Sequence, residues 1–221
     1  LKKGLSFQSR GKLNMKMGLN DFSCHEVISN MSEINLNKIF KYFGDERYSK
    51  QIARKIAEIR KSKIIKTEDL TKIIDSVKRF KYSKINNSTK VFQALRIFVN
   101  KEITELINGL INAFHILPLG GVIAVVTFHS LEDKIVKFFF KNYSEIKNTS
   151  RYIPNNYNNF RCFNLQNKKP ITPNLAELKI NPPSRSAKLR FATKISNECN
   201  FYEFKKKFEY LIDIESLQFD K

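Results

Sequence analysis

Apolar residues in the chain follow a helical rhythm first and a strand rhythm only later. Residues 1–19 show no period and are punctuated by Gly4, Gly11 and Gly18. From Ser23 the apolar steps become three and four. Ser23-Cys-His-Glu26 has the form of a capping box, in which the hydroxyl accepts from the Glu26 amide and the carboxylate reaches back. Leu36, Ile39, Phe40 and Phe43 continue at helical spacing, with Gly44 as the expected left-handed stop. A further helix is expected from Asp45-Glu46, burying Ile52, Ile56 and Ile59, with Arg47, Lys50 and Arg54 as a separate cationic stripe. Thr67 is expected to cap the next, which carries Leu70, Ile73, Ile74, Val77 and Phe80. Residues 20–85 therefore read as a small, basic, all-helical module.

Beyond the turn at Asn86-Asn87-Ser88 the pattern changes. Phe92, Leu95, Val99, Ile103, Leu106, Leu110 and Ala113 predict one long helix, stopped by Pro118 and Gly120-Gly121. Val122–Phe128 is uniformly apolar, as expected of a strand buried on both faces in a parallel sheet. Ser130-Leu-Glu-Asp133 has the form of a second capping box, opening a helix with Ile135, Val136, Phe138 and Phe139 on its core side. Residues 142–169 read as a long surface loop. Lys188–Thr193 alternates as an edge or antiparallel closing strand should. The tail, 197–221, is charged and aromatic, with a helix expected near Phe204–Ile212. Helix, Gly-Gly turn, strand and capped helix over 86–196 amount to half of a doubly wound α/β domain.

Charge adds a partner class. Lys and Arg number 40 against 21 acids, a net +19 over 221 residues, while 42% hydrophobic content supports a real core. The polyanion such a chain meets is nucleic acid or an anionic membrane surface. Part of the excess is compositional: the chain carries 22 Asn, and Lys outnumbers Arg three to one. Cys24, Cys162 and Cys199 are odd in number and far apart, which argues against a disulfide framework or a metal knuckle. With no apolar run long enough for a membrane span, a cytoplasmic protein without a membrane partner is expected.

Candidate chemistry concentrates in Thr127–Asp133, because ligands of open α/β sheets bind at the carboxyl ends of strands. His129, Ser130, Glu132 and Asp133 place an imidazole, a hydroxyl and two carboxylates at one such end. The plainer reading is a helix cap made by Ser130 and Asp133, with His129 a polar turn residue. A Ser-His-Asp triad does not follow, since adjacent His129 and Ser130 project apart. Tyr143, Tyr152, Tyr157 and Phe160 in the expected loop are candidates for stacking on unpaired bases.

Phe128-His-Ser-Leu-Glu-Asp133 resembles a motif of the bacterial MraW/RsmH methyltransferases. Further blocks match in family order: Gly4–Phe7, Leu13–Met17, Tyr42–Arg47 with Ile52–Ile56, Thr89–Arg96 with Val99-Asn100, and Asn181–Arg190. The resemblance covers about residues 4–194. It implies a class I, Rossmann-like, S-adenosylmethionine-dependent methyltransferase domain with the helical module inserted, incomplete at its amino end. It further implies methylation of the exocyclic N4 amine of a decoding-site cytosine in 16S ribosomal RNA of the small subunit, and permits a homodimer. On it, His129, Ser130, Glu132 and Asp133 are the catalytic candidates, and Arg10, Lys16, Arg47, Arg54, Lys90, Arg96, Arg185 and Arg190 the RNA contacts. Asn14, Lys16 and Lys90 stand where the family usually has Asp, Arg and Arg, and Pro183 replaces a basic residue. A Lys brings only a point charge where Arg is bidentate. The family's glycine-rich cofactor loop has no counterpart among the seven glycines, so the chain resembles the carboxyl-terminal two-thirds of such an enzyme. Little or no S-adenosylmethionine binding and no turnover are expected of it alone. Asn181-Pro-Pro-Ser184 mimics an amino-methyltransferase motif but lacks its aromatic residue and falls too late. The alternative of another class is a non-catalytic, basic RNA-binding protein on the same fold.

Overall fold

Residues 13–18, 20–78, 86–144 and 161–219 are described by the computed structural model of the chain. They divide into two units, one holding the described residues up to Thr104 and from Tyr210, the other Glu105–Glu209. The chain is α/β, with a small sheet confined to the second unit.

The first unit is helical. Its helices are α1 (Cys24–Asn30), α2 (Glu33–Gly44), α3 (Ser49–Ile59), α4 (Thr67–Val77) and α5 (Thr89–Asn100). The Ser23–Glu26 capping box forms as expected, with Glu26 Oε2 accepting from the Ser23 amide at 2.7 Å. Leu36, Ile39, Phe40, Phe43, Ile52, Ile56, Leu70, Ile73 and Ile74 are buried as the 3.6-residue stripes predict, whereas Ile59 and Val77 are half-buried and Phe80 lies outside the described residues.

Two ends of helices differ from expectation. The left-handed residue after α2 is Asp45 (φ 48°, ψ 43°), not Gly44. Gly44 is still inside the helix, where a Cβ would lie 2.5 Å from the Lys90 carbonyl oxygen; the glycine lets α2 approach α5. Thr67 is the first residue of α4, with Lys66 at the cap, and Asp69 accepts from the Lys66 amide at 3.0 Å.

The predicted long helix is two helices. Lys101 adopts the left-handed conformation (φ 50°, ψ 40°) between α5 and α6 (Glu102–Ile116). Apolar periodicity runs straight through this break, but the first amides of α6 are satisfied by a distant side chain. Glu215 accepts from the Ile103 and Thr104 amides, both at 2.8 Å, and from the Thr104 hydroxyl at 2.6 Å. The Glu215 side chain thereby satisfies helix donors that have no partner within α6. On α5, Asn100 donates to the Met15 carbonyl and accepts from the Met17 amide and the Asn20 side chain, pinning those three residues.

The second unit contains β1 (Val122–Thr127), α7 (Ser130–Asn142), β2 (Phe163–Asn164), α8 (Leu175–Ile180), a 3-10 turn at Pro182–Ser186, β3 (Lys188–Lys194) and the first part of α9 (Tyr202–Glu215). Strand order is β1-β3-β2, antiparallel throughout, with Val122 opposite Thr193 and Thr127 opposite Lys188. Two expectations are corrected here. β3 is antiparallel, as expected, but pairs on both sides, so among the described residues it is the central strand and not an edge. β1 pairs only with β3 among the described residues and is buried on one face: Ile123 and Thr127 are buried, whereas Val122 and Val126 are more than half exposed. Its apolar composition signalled two covered faces, but α7 covers only one.

The supposed loop after α7 also carries structure, because Cys162 and Phe163 are fully buried and β2 joins the sheet. Its residues 145–160 lie outside the described ones. Phe114, Phe139, Phe140, Phe163, Phe201 and Phe204 form an aromatic core, with Phe139 4.9 Å from Phe204 and 5.2 Å from Phe163 between ring centroids. Lys194, buried in the same core, donates to the Phe114 and Leu117 carbonyls at 2.8 and 2.7 Å. Cys162 and Cys199 form a disulfide, contrary to the sequence expectation; a separation of 37 residues carries no signal by which to pair them.

Candidate functional site

The turn from β1 into α7 is built by His129 and Glu132. His129 is extended (φ −133°, ψ 162°) and occupies the cap position. Its Nδ1 accepts from the Glu132 amide at 3.3 Å, while Glu132 Oε2 accepts from the Phe128 and His129 amides at 2.9 and 3.2 Å. The capping box therefore lies one residue earlier than the sequence suggests. Ser130 is an exposed first helical residue, and the cap assigned to it belongs to His129. An imidazole nitrogen can replace the usual hydroxyl or carboxylate as acceptor, which periodicity and cap preferences do not reveal.

A ring nitrogen that accepts carries no proton, so the imidazole N–H is Nε2. Nε2 lies 3.1 Å from Glu132 Oε1, off the direction of its N–H, and finds no hydrogen-bond partner among the described residues. The His129 side chain is only 9% exposed. Burial pushes the Glu132 carboxyl up, but His129 and the two amides outweigh it and leave the group below its ordinary value.

Asp133 is spent differently. It accepts from Arg190 Nε at 2.7 Å and from Lys188 Nζ at 3.0 Å, tying the first turn of α7 to β3. Burial again pushes the carboxyl up, and the two cations together bring it below the usual carboxylate range. Asp133 is thus a clamp and not a free proton acceptor. Arg190, 9% exposed and held by Asp133, is likewise not available as the phosphate contact expected of it.

The other expected RNA contacts divide. Arg185, on the 3-10 turn, and Arg47 are exposed. Arg54 pairs with Glu58 at 3.0 Å. Lys90 donates to the Asp45 carbonyl at 2.7 Å. Arg96 makes a two-pronged pair with Glu102 at 2.8 and 2.9 Å, and Lys16 is half-buried. Arg10, Tyr152, Tyr157 and Phe160 lie outside the described residues. Tyr143 is 5% exposed, packs 5.0 Å from Phe201 and accepts from the Phe204 amide, so it holds the core and does not stack on bases. Burial pushes its phenol up to about 12.

Sequence reasoning followed the inner side of α7 and missed its outer side. The core residues are Ile135, Val136, Phe139 and Phe140, while Phe138 is only half-buried at the edge of a groove. The missed signal was Lys134, Lys137 and Lys141, which share a helix face at steps of three and four.

The sequence profile of the MraW methylase family matches residues 1–195. The chain belongs to this family. It is 42% identical over 189 residues to a ribosomal RNA small subunit methyltransferase H of Rhodopseudomonas palustris, covering 85% of this chain and 57% of the relative. A protein of the same name from Bartonella henselae is 42% identical over 205 residues, covering 92% and 59%. That of Trichodesmium erythraeum is 39% identical over 197 residues, covering 88% and 63%. The chain thus spans about three-fifths of the length of these relatives.

Neither of two grooves in the second unit fits S-adenosylmethionine, the donor that a methyltransferase family implies. Gly44 and Gly121 are packed against Lys90 and Leu117, and Gly109 and Gly120 face open space. Both grooves are walled by lysines and phenyl rings, with neither a glycine for a close backbone approach nor a carboxylate for ribose hydroxyls. Cationic walls also repel a sulfonium.

Proposed function

We propose that this member of the MraW methylase family takes part in S-adenosylmethionine-dependent methylation of small-subunit ribosomal RNA, at the N4 amine of a decoding-site cytosine. The observation that carries the reading is the turn after β1. The His129 ring is fixed by the Glu132 amide on its Nδ1, and its buried Nε2–H, 3.1 Å from Glu132 Oε1, completes no hydrogen bond among the described residues. An orphaned buried donor is costly unless a ligand meets it. The N4 lone pair of cytosine is conjugated into its ring, so a transfer at that atom needs the base held in place, and the amine proton that the methyl group replaces passes to water. In this reading the His129 N–H orients the base through an acceptor on its pyrimidine edge, and Glu132 fixes the imidazole. Ser130 supplies an exposed hydroxyl beside them. Asp133 stays with Arg190 and holds the helix that carries the site.

The test is a chimera in which the amino-terminal part of the Bartonella henselae relative precedes this chain. It is incubated with methyl-labelled donor and small subunits from a strain lacking its own MraW-family enzyme. Label recovered as N4-methylcytidine is the expected result. A folded, donor-binding chimera that transfers no label, or labels another nucleoside, overturns the reading.

A further inference from the structure

Resting on the reading that ribosomal RNA is the substrate, we infer that the groove between α7 and α9 is a binding surface for single-stranded RNA, its α7 wall beginning directly after the Phe128–Asp133 turn. Lys134, Lys137 and Lys141 form one wall on α7, and Lys207 on α9 forms the other. Half-buried Phe138 makes the floor and is the ring a base can reach; it is backed by buried Phe208, 5.5 Å away and edge to face. The cavity volume is about 410 Å³, within the range that takes a small organic ligand or one base.

Charge decides the occupant. In the same unit Lys188 and Arg190 are held by Asp133. Lys134, Lys137 and Lys207 are exposed and form no ion pair among the described residues, and no carboxylate lines the groove. Along the axis of α7 the three lysines are spaced by about 4.5 and 6 Å. A row of ammonium groups beside an apolar floor fits a chain of phosphates whose bases can turn inward and rest on a ring. A duplex keeps its bases stacked inside and has nothing to offer the Phe138 ring. A second cavity, of about 280 Å³, shares Lys137 and Lys141 and adds Lys168, so cationic surface continues on the other side of the lysine row. The α9 wall lies beyond residues 1–195, the stretch that matches the family. The groove is therefore built partly from a segment outside that match.

Fluorescence anisotropy of the 221-residue chain tests this, with a labelled 12-nucleotide oligouridine, a 12-base-pair RNA duplex, and vesicles of phosphatidylcholine and phosphatidylserine (3:1). The single strand is expected to bind more tightly than the duplex. Releasing about 0.7 counterion per phosphate contact, the triple variant Lys134→Gln, Lys137→Gln, Lys207→Gln should flatten the log–log salt slope by about 2. The charge-matched triple Lys38→Gln, Lys61→Gln, Lys72→Gln should keep the wild-type slope. Phe138→Leu should weaken single-strand binding by about 5- to 100-fold with the slope unchanged, as expected for losing a stacking ring. Thermal melts verify folding, and the lysine triple keeps the test valid if Phe138→Leu fails to fold. Equal slopes for both triples and wild type, or equal flattening by both, overturn the groove while leaving the RNA reading intact. So does a groove triple that loses vesicle binding but not RNA binding. A wild-type chain that binds neither RNA overturns the RNA reading and the groove with it.

Discussion

The cap at His129 makes a prediction that separates structure from chemistry at a single position. His129→Ala removes the acceptor for the Glu132 amide and leaves that helical N–H unsatisfied. Loss of a side-chain cap typically costs about 1 kcal/mol, with a range of roughly 0.5–2. The mostly buried imidazole puts this site in the upper part of that range. For a chain of this size the melting temperature should fall by about 2–4 °C per kcal/mol. Asn is among the best cap residues, so His129→Asn should restore most of the loss while removing the ring N–H. Ser130→Ala should change little, since that hydroxyl is exposed and is not the cap. Thermal melts and urea titrations of the four proteins provide the assay. Asn and Ala variants melting together, or Ser130→Ala losing as much as His129→Ala, would refute the assignment of the cap.

Asp133→Asn breaks a pair whose partner Arg190 is nearly buried, and should cost about 3 kcal/mol in urea titrations. Because the Asp133 carboxyl is depressed on folding, its contribution is present above about pH 4 and lost as pH falls, a dependence the variant should lack. Glu215 has the opposite sign. Burial pushes its carboxyl up to about 7 against the pull of Thr104 and Ile103, with Glu102 adding to the rise. Stability should therefore decline by about 3 kcal/mol as pH rises from about 4.5 to 7, and Glu215→Gln should flatten that window. Reducing the Cys162–Cys199 bond, which closes 37 residues, should lower stability by about 4 kcal/mol or less. Thiol counting after denaturation should find one free thiol before reduction and three after; three at the outset would contradict the bond.

What the sequence revealed depended on how local the cause was. Ser23 and Glu26 lie three residues apart and state their cap outright, and the stripes of α2 to α4 need no partner to be recognised. The break at Lys101 was illegible because the carboxylate capping α6 lies over a hundred residues later, at Glu215. The disulfide was illegible for the same reason. At the candidate site the segment was legible and the roles were not: His129 and Ser130 are adjacent candidate acceptors, and only geometry shows that the imidazole caps and the hydroxyl does not. Asp133 and Arg190 each looked functional alone, and they turn out to satisfy one another across 57 residues.

The most direct test of the central claim is the rate of N4-methylcytidine formation by the chimera carrying His129→Asn, measured by mass spectrometry of nucleosides from the small-subunit RNA. Its cap is restored, so the melting temperature should match the parent, while the rate should fall by about 100-fold, as for loss of a positioned hydrogen-bonding group. A His129→Asn chimera that methylates at the parent rate would contradict the account and leave the Phe128–Asp133 turn with a structural role alone.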